Sequence, residues 1–261
     1  MNDTAIKASL NSLEPVDLDS LSSVRLMNRI ETKYLFSATK LGDLINHLDG
    51  KYKVLEIDSL RSFPYLTTYM DTFDYLFYNQ HIRGEYERHK IRYRKYEVTG
   101  ISFLEVKKKT NKRRTIKWRI ENNLLADSFD DQAGVFIEKH SNINSLQLKP
   151  VIENRFTRAT FMSIETKERI TIDYDISFRD LSSGRIIEIP FLAVAELKKE
   201  SYSQFSNFTG IIKHFNIYPK RFSKYCVGSA ILNDKLKRNI LKQKLLLLNR
   251  IENEYISSIG N

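Results

Sequence analysis

The chain has 261 residues, of which 41% are hydrophobic, so it can bury a sizeable core and is not a disordered segment. Its 42 Lys and Arg exceed its 32 Asp and Glu by ten, which favours anionic partners such as nucleic acid, phosphorylated metabolites, polyphosphate or an acidic membrane surface. The single cysteine, Cys226, excludes an intrachain disulfide and a cysteine-rich zinc site. Because neither a signal-peptide pattern nor an apolar stretch of roughly 18 to 20 residues occurs, we expect a soluble cytoplasmic protein without a transmembrane segment.

Hydrophobic periodicity predicts a series of strands followed by helices. A polar arm at residues 1–24 precedes a strand at 29–36 and a short amphipathic helix at 38–49, where Leu41, Leu44 and Ile45 recur at helical spacing. Further strands are predicted at 65–72, 86–98, 101–110, 114–121, 149–162, 168–178, 185–189 and 192–200, with one helical segment near 124–140. The last sixty residues change to a helical period. Because regular βαβ alternation is missing, the pattern predicts an α+β fold with an antiparallel sheet.

Five of these strands carry charged residues at every second position. They are Arg29-Ile-Glu31-Thr-Lys33, Lys90-Ile-Arg92-Tyr-Arg94, Glu105-Val-Lys107-Lys-Lys109, Arg169-Ile-Thr171-Ile-Asp173 and Glu196-Leu-Lys198. Because successive side chains of a strand point to opposite faces, each run directs its charges to one face and its β-branched or aromatic residues to the other. A barrel covers both faces, since its lumen can hold the charges while its outer wall packs against helices.

Read in order, these motifs resemble those of the VTC domain. The residues that carry the resemblance are Arg29-Ile-Glu31-Thr-Lys33-Tyr34, Ile91-Arg92-Tyr93-Arg94, Glu105-Val-Lys107, Phe156-Thr157-Arg158, Arg169-Ile-Thr-Ile-Asp173, Glu196-Leu-Lys198 and Phe222-Ser-Lys224-Tyr225. The VTC domain is the polyphosphate polymerase branch of the triphosphate tunnel metalloenzymes, which also include the CYTH phosphatases. The resemblance covers about residues 20–235. It implies a closed antiparallel β-barrel, a tunnel of about eight strands with flanking helices, whose lumen binds triphosphate or polyphosphate beside a divalent metal.

The resemblance also implies a division of the chain. We expect an N-terminal arm at residues 1–24, a tunnel domain at 25–235 and a C-terminal helix at 236–261 that packs on the same domain.

A phosphate chain carries about one negative charge per unit, so a low-dielectric lumen that holds it needs many fixed cations. One arginine guanidinium can donate two parallel hydrogen bonds to phosphate oxygens, whereas lysine supplies a mobile point charge. By matching motif position, the predicted phosphate ligands are Lys33, Arg92, Arg94, Lys107, Lys117, Arg158, Lys198 and Lys224. Lys117 rests only on the alternation in Thr115-Ile-Lys117-Trp-Arg119. The predicted catalytic residues are Lys33, Arg92, Arg94, Arg158 and Lys224.

Glu31, Glu105 and Glu196 each precede a lysine by two positions, so each shares its strand face with a cation. This spacing is compatible with an interior ion pair and with coordination of Mn²⁺ or Mg²⁺, which prefer oxygen ligands and bridge to substrate phosphates. The predicted metal ligands are these three glutamates and Asp173. CYTH members usually begin with ExExK, whereas this chain has Arg29 in place of the first acid, which favours the VTC branch.

The implied activity is a phosphotransferase, a metal-dependent polyphosphate polymerase that transfers the terminal phosphate of ATP or another nucleoside triphosphate to growing inorganic polyphosphate. The same tunnel could hydrolyse tripolyphosphate or a nucleoside triphosphate, because water can replace the acceptor. A non-enzymatic polyanion-binding module is a third hypothesis, although glutamates on the cationic face argue against a specific nucleic-acid partner. The basic stretch at 235–244 could contact a membrane surface or a partner, and export of the product would need a membrane-protein partner.

Overall fold

The computed structural model describes residues 3–23, 30–112, 114–123 and 129–260. Its strands are β1 Pro15–Val16, β2 Ile30–Ser37, β3 Tyr52–Leu55, β4 Phe63–Thr72, β5 Arg88–Tyr96, β6 Ser102–Lys109, β7 Thr115–Glu121, β8 Leu148–Ser163, β9 Arg169–Asp180, β10 Ile186–Ile189 and β11 Leu192–Lys199. Its helices are α1 Asp3–Asn11, α2 Leu18–Ser23, α3 Leu41–Asn46, α4 Leu76–Arg83, α5 Asp131–Ser141, α6 Asn207–His214, α7 Lys224–Leu232 and α8 Lys242–Ile259. Short 3₁₀ turns lie at Ala38–Lys40, Ser145–Gln147 and Asn239–Leu241. Arg29 and residues 124–128, which the sequence analysis assigned to a strand and a helix, lie outside the described residues.

Eight strands follow one antiparallel path, in the order β2-β11-β9-β8-β4-β5-β6-β7. β10 pairs with β9 and β3 with β8, while β1 adds a parallel pair to β3. The predicted α+β fold with a many-stranded antiparallel sheet is therefore confirmed. In the part of the chain that the structure describes, the two end strands β2 and β7 do not pair with each other, so hydrogen bonds do not close the sheet. A closed barrel is not confirmed.

The apolar face of the sheet packs under helices, as the charge alternation predicts. On β5, Ile91 and Tyr93 are buried in a cluster that includes Ala133 and Ile137 of α5. Between them, Arg92 points to the opposite face and lines a cavity. On the other half of the sheet, β9 buries Ile170, Ile172 and Tyr174 in a cluster that includes residues of α1, α3 and α6. The helices thus cover the outer wall and leave the charged face to the cavity.

One helix, α4, lies where the sequence analysis expected only strands and turns. The backbone N–H of Leu76 donates to Thr72 Oγ1, and those of Phe77 and Tyr78 donate to the Asp71 carboxylate, each at 2.9 Å. Tyr225 of α7 donates to the same carboxylate. The helix ends at Gly84, whose φ of 73° suits a residue without Cβ. The helix was missed because its capping side chains, Thr72 and Asp71, lie on a strand four and five positions before its first residue instead of directly before it.

The N-terminal arm contains a packed helix. Ile6 and Leu10 of α1 are buried in the cluster that includes α3. Arg61 donates to the carbonyl oxygens of Leu10 and Leu13 at 2.8 and 2.9 Å, which caps the C-terminal end of α1. The arm was predicted to be polar because these apolar residues are few and widely spaced in sequence.

At the other end of the chain, α8 begins at Lys242, later than the predicted residue 236. It buries Leu248 and Ile251 in the core cluster that contains α7. Among the helices of the described ranges, none combines the length and the apolar character that crossing a membrane requires.

Candidate functional site

A cavity of about 690 Å³ lies along the charged face of the sheet. All eight cations that the sequence motifs predicted line it, and they come from β2, β5, β6, β7, β8, β11 and α7: Lys33, Arg92, Arg94, Lys107, Lys117, Arg158, Lys198 and Lys224. Three of the four predicted carboxylates, Glu31, Asp173 and Glu196, line it as well. The fourth, Glu105, is 1% exposed and lies behind the lining residues Arg92 and Lys117.

The first group of charges, the Glu105 cluster, consists of Arg92, Glu105 and Lys117 on three neighbouring strands. Arg92 is the cross-strand partner of Glu105 and donates to its Oε2 from Nε at 2.7 Å and from Nη2 at 2.6 Å. Lys117 donates to Oε1. Burial alone would raise the pKa of Glu105, but Arg92 and Arg94 outweigh it and hold that pKa below its usual range. Glu105 is therefore ionised and forms ion pairs with two cations, Arg92 and Lys117.

The second group, the Asp173 cluster, consists of Arg158, Asp173 and Lys224. Arg158 and Asp173 are cross-strand partners joined by two hydrogen bonds, Nε to Oδ1 at 2.5 Å and Nη2 to Oδ2 at 2.8 Å. Lys224, the first residue of α7, donates to Oδ2. Burial lowers the pKa of Lys224 to about 7, with Asp173 opposing the shift and Arg158 adding to it. Lys224 is thus a cation whose charge changes near neutral pH.

The third group, the Glu196 cluster, consists of Lys33, Glu196 and Lys198. Glu196 is the cross-strand partner of Lys33, and Lys198 is that of Glu31. Lys198 Nζ lies 2.8 Å from Glu196 Oε1, whereas Lys33 Nζ lies 3.5 Å from Oε2. The Glu196 side chain is 20% exposed, against 1% for Glu105 and 8% for Asp173. Of these three carboxylates, Glu196 is the most open to a ligand in the cavity.

Metal binding can be tested against this donor set. No three or more His, Cys, Asp and Glu side chains among the described residues lie close enough together to hold a metal unaided. Mg²⁺, however, is often held by one or two carboxylates together with substrate phosphates and water. Glu196 and Glu31 fit that mode, since both line the cavity from the paired strands β11 and β2. Glu105 and Asp173 are more deeply buried than Glu196, and the role of all four carboxylates as metal ligands stays a prediction.

The cavity holds far more positive than negative charge. Thirteen Lys and Arg side chains line it against three carboxylates. Arg94 Nε is buried and has no hydrogen-bond partner among the described residues. Burial and the neighbouring Arg92 lower the pKa of Arg94, and Arg92 and burial lower the pKa of Lys107 well below its usual range. Such mutual repulsion favours a multiply charged anion in the cavity.

Five of the thirteen cations were not among the predicted phosphate ligands: Arg88, Lys90, Lys109, Arg119 and Arg169. The sequence did contain a sign of them, because each follows the every-second-position spacing of a predicted ligand on its strand. Arg88 and Lys90, for example, precede Arg92 in steps of two residues. His81 of α4 also lines the cavity, and burial lowers its pKa to about 2, so it is neutral. No sequence pattern pointed to His81, because α4 itself was not predicted.

The family model described as the VTC domain matches residues 28–233. No curated protein matches the chain.

Among solved structures, the chain is similar to a candidate adenylyl cyclase from Hippeastrum, described as having a dominant triphosphatase activity. The TM-score is 0.48 at 12% identity, covering 77% of this chain and 95% of that chain. It is also similar to the PH1819 protein from Pyrococcus horikoshii, with a TM-score of 0.44 at 13% identity, covering 84% and 99% of the two chains. Both TM-scores are below 0.5, so these similarities do not extend what the family match shows.

Proposed function

Because this chain belongs to the VTC domain family, we propose that it is a metal-dependent polyphosphate polymerase that uses ATP or another nucleoside triphosphate. The observation that carries the proposal is the charge of the cavity, with thirteen Lys and Arg side chains against three carboxylates. Leaving buried cations uncompensated costs several kcal/mol per ion. A row of phosphates supplies compensating charges along the whole cavity, which favours a linear polyanion as substrate and product.

The proposed reaction is a phosphoryl transfer from the nucleotide to the end of the polymer. An oxygen of the terminal phosphate of the acceptor chain attacks the γ-phosphorus, the bond from that phosphorus to the β–γ bridging oxygen breaks, and the nucleoside diphosphate leaves. Such transfers depend on positioning and on charge stabilisation, so no nucleophilic side chain is needed.

In this proposal each cation has a role. Arg92, Arg94 and Arg158 hold the triphosphate, and Lys33 and Lys224 offset the charge that develops on the transferring group. The remaining predicted ligands, Lys107, Lys117 and Lys198, bind neighbouring phosphates. Two carboxylates act indirectly: Glu105 orients Arg92 and Asp173 orients Arg158, each through two hydrogen bonds.

Mn²⁺ or Mg²⁺, when held by Glu196 and Glu31, would neutralise charge on the substrate phosphates. The proposal assigns this chemistry to a domain at residues 25–235, with residues 1–24 as an arm and a C-terminal helix within 236–261 packed on it. Export of the product would require a membrane-protein partner.

Hydrolysis of tripolyphosphate or of a nucleoside triphosphate is the second candidate. The same cations would hold the substrate whether a phosphate oxygen or a water molecule attacks, so the site supports both outcomes. A direct experiment separates them: the protein is incubated with ATP and Mn²⁺ or Mg²⁺, and polyphosphate is resolved on a gel beside an assay of free phosphate. Chain growth supports the polymerase. Free phosphate without polymer would support the hydrolase instead. If neither product forms, a polyanion-binding module is favoured.

The Arg94→Met variant tests whether the cavity is the site. Loss of a guanidinium that contacts the transferring phosphates should lower activity by about 100-fold or more. Because Arg94 Nε has no partner and Arg92 repels the guanidinium, the melting temperature should stay unchanged or rise. The matched control is Arg179→Met, an exposed strand arginine 3.9 Å from Glu153, which should keep full activity. Full activity of Arg94→Met would refute the assignment of the site.

A further inference from the structure

Residues 222–225, where the chain enters α7, each contact a different strand of the sheet. The four contacts are Lys33 Nζ to the carbonyl oxygen of Phe222 at 3.1 Å, Lys90 Nζ to Ser223 Oγ at 3.0 Å, Lys224 to the Asp173 carboxylate, and Tyr225 to the Asp71 carboxylate. The strand residues belong to β2, β5, β9 and β4, in that order. The first three contacts involve lysines that line the cavity. The fourth differs, because neither Tyr225 nor Asp71 is among the lining residues.

The Asp71 carboxylate is fully buried and connects α7 to α4. It accepts hydrogen bonds from three backbone N–H groups, that of Thr72 at 2.8 Å and those of Phe77 and Tyr78 at 2.9 Å, besides the one from Tyr225. Burial raises the pKa of the Tyr225 hydroxyl well above its ordinary value and the charge of Asp71 adds to the shift, so Tyr225 keeps its proton and donates. This network joins the first turn of α7 to the first turn of α4.

Close packing also holds α7 against the sheet. The ring of Tyr225 lies with its centroid 5.1 Å from that of Tyr69 on β4. One turn later, a Cβ on Gly228 would lie only 2.5 Å from Cδ1 of Phe178 on β9, so the helix approaches the sheet at a distance that glycine alone allows. The backbone that carries Lys224 is therefore fixed by contacts outside the cavity.

A fixed backbone matters for Lys224 because its ammonium is a point charge on a long, flexible stem. Its Nζ contacts Asp173 and lies 3.4 Å from the centre of the Phe156 ring, so the charge has a defined place in the cavity. A misplacement of about 1 Å can lower the rate of an enzyme about 100-fold. The place of this charge depends on where the first turn of α7 lies.

We propose that Asp71 and Tyr225 are positioning residues that hold Lys224 in place for phosphate binding, an inference that rests on the proposed function. Asp71 binds the Tyr225 hydroxyl, and Tyr225 adjoins Lys224 in the first turn of α7. Neither residue of the pair touches the substrate. Because the pair orders this turn before a phosphate enters, binding does not require α7 to be ordered.

Tyr225→Phe tests the proposal with the smallest change, since it keeps the ring that packs on Tyr69 and removes only the hydroxyl. The matched control is Tyr93→Phe. Tyr93 is 3% exposed, donates one hydrogen bond, to Asn122 Oδ1 at 3.0 Å, and does not line the cavity. Both variants lose one buried hydrogen bond, so both should fold with a melting temperature lowered by about 2 to 4 °C.

A double-mutant cycle with Lys224→Met shows whether Tyr225 acts through Lys224. Isothermal titration calorimetry measures the dissociation constant of inorganic tripolyphosphate for the wild type, the single variants and the double variants, in EDTA so that metal-dependent turnover does not interfere. We expect Tyr225→Phe to weaken binding roughly three- to tenfold in the wild-type background and to cause no further loss in the Lys224→Met background. Tyr93→Phe should leave the affinity unchanged in both backgrounds.

Equal weakening by Tyr225→Phe in the two backgrounds would show that it acts on the fold as a whole, and no weakening in the wild-type background would show that Lys224 does not depend on it. Either result overturns the proposal. Asp71→Asn changes the same contact from the other side and should show the same dependence on Lys224. If the wild type does not bind tripolyphosphate, the proposed function and this inference both fail. If the coupling is found but the gel assay shows no polymer, the polymerase fails and the positioning pair stands.

Discussion

The Glu105 and Glu196 clusters begin from the same sequence motif, a glutamate two residues before a lysine, and differ in what surrounds the carboxylate. Glu105 contacts cations on both flanking strands, Arg92 on β5 and Lys117 on β7, and is 1% exposed. Glu196 contacts Lys198 of its own strand at 2.8 Å, with Lys33 on one flanking strand at 3.5 Å and the neutral Thr171 on the other. Its side chain is 20% exposed.

This difference separates a structural carboxylate from one that is available to a ligand. Cations on both sides of Glu105 donate to both of its carboxylate oxygens, which fits the proposed role of orienting Arg92. A neutral neighbour leaves one side of Glu196 open. The motif therefore identifies the charged face, while the residue on the neighbouring strand decides how the carboxylate is used.

The largest expected effect concerns activity. Glu196→Gln removes one negative charge from the proposed metal site, so activity at limiting Mn²⁺ should fall by about 100-fold or more. Activity measured across a Mn²⁺ titration checks this, with Glu188→Gln on the exposed part of β10 as the control. An unchanged Mn²⁺ requirement in Glu196→Gln would make this carboxylate a lysine partner like Glu105 and would remove the contrast between the clusters.

The second effect concerns stability. Glu105→Gln leaves the charges of Arg92 and Lys117 uncompensated in a buried position, which should lower the free energy of unfolding by about 3 to 5 kcal/mol. Glu196→Gln should cost less than Glu105→Gln, because the Glu196 side chain is 20% exposed against 1% for Glu105. Urea unfolding of both variants measures the difference. The double variant Arg92→Met/Glu105→Gln should recover part of the loss, since it removes both members of the pair. Equal losses in the two single variants would contradict the comparison.

The smallest effect is the dependence of stability on acid. The pKa of Glu105 is below its ordinary value of 4.5 in the folded protein, despite burial, because Arg92 and Arg94 favour the ionised form. Its stabilising contribution is thus fully present above 4.5 and is lost as pH falls below that value toward the folded pKa. Unfolding free energies measured from about pH 6 to about pH 3 should fall less steeply in Glu105→Gln than in the wild type. Burial opposes ionisation of Glu196, but Lys198 and Lys33 hold its pKa well below the ordinary value, so Glu196→Gln should reduce the slope as well. The reduction should be smaller than in Glu105→Gln, because the Glu196 side chain is 20% exposed against 1% for Glu105. A larger change of slope in Glu196→Gln than in Glu105→Gln would contradict the conclusion that Glu105 is the more strongly paired carboxylate.

Much of the fold was predictable because strand periodicity is local. The positions of β4 to β9 and of β11 follow from alternating side chains. The eight predicted cations of the cavity came from their positions in the motifs that resemble the VTC domain, except Lys117, which rested on alternation alone. The α4 helix was not predictable in this way, since Asp71 caps it from a strand and Tyr225 fixes that carboxylate from a helix more than 150 residues away.

The sequence by itself determined which faces of the strands are charged, which family the chain resembles and which cations belong to one site. It could do so because alternation along a strand and the chemistry of phosphate recognition depend on residue type and spacing. Only the tertiary structure decided how open each carboxylate is and which side chains from distant segments line the cavity. Those properties arise between strands and helices that are distant in sequence: Thr171 lies beside Glu196 through strand pairing, and α2 brings Leu18 to the cavity.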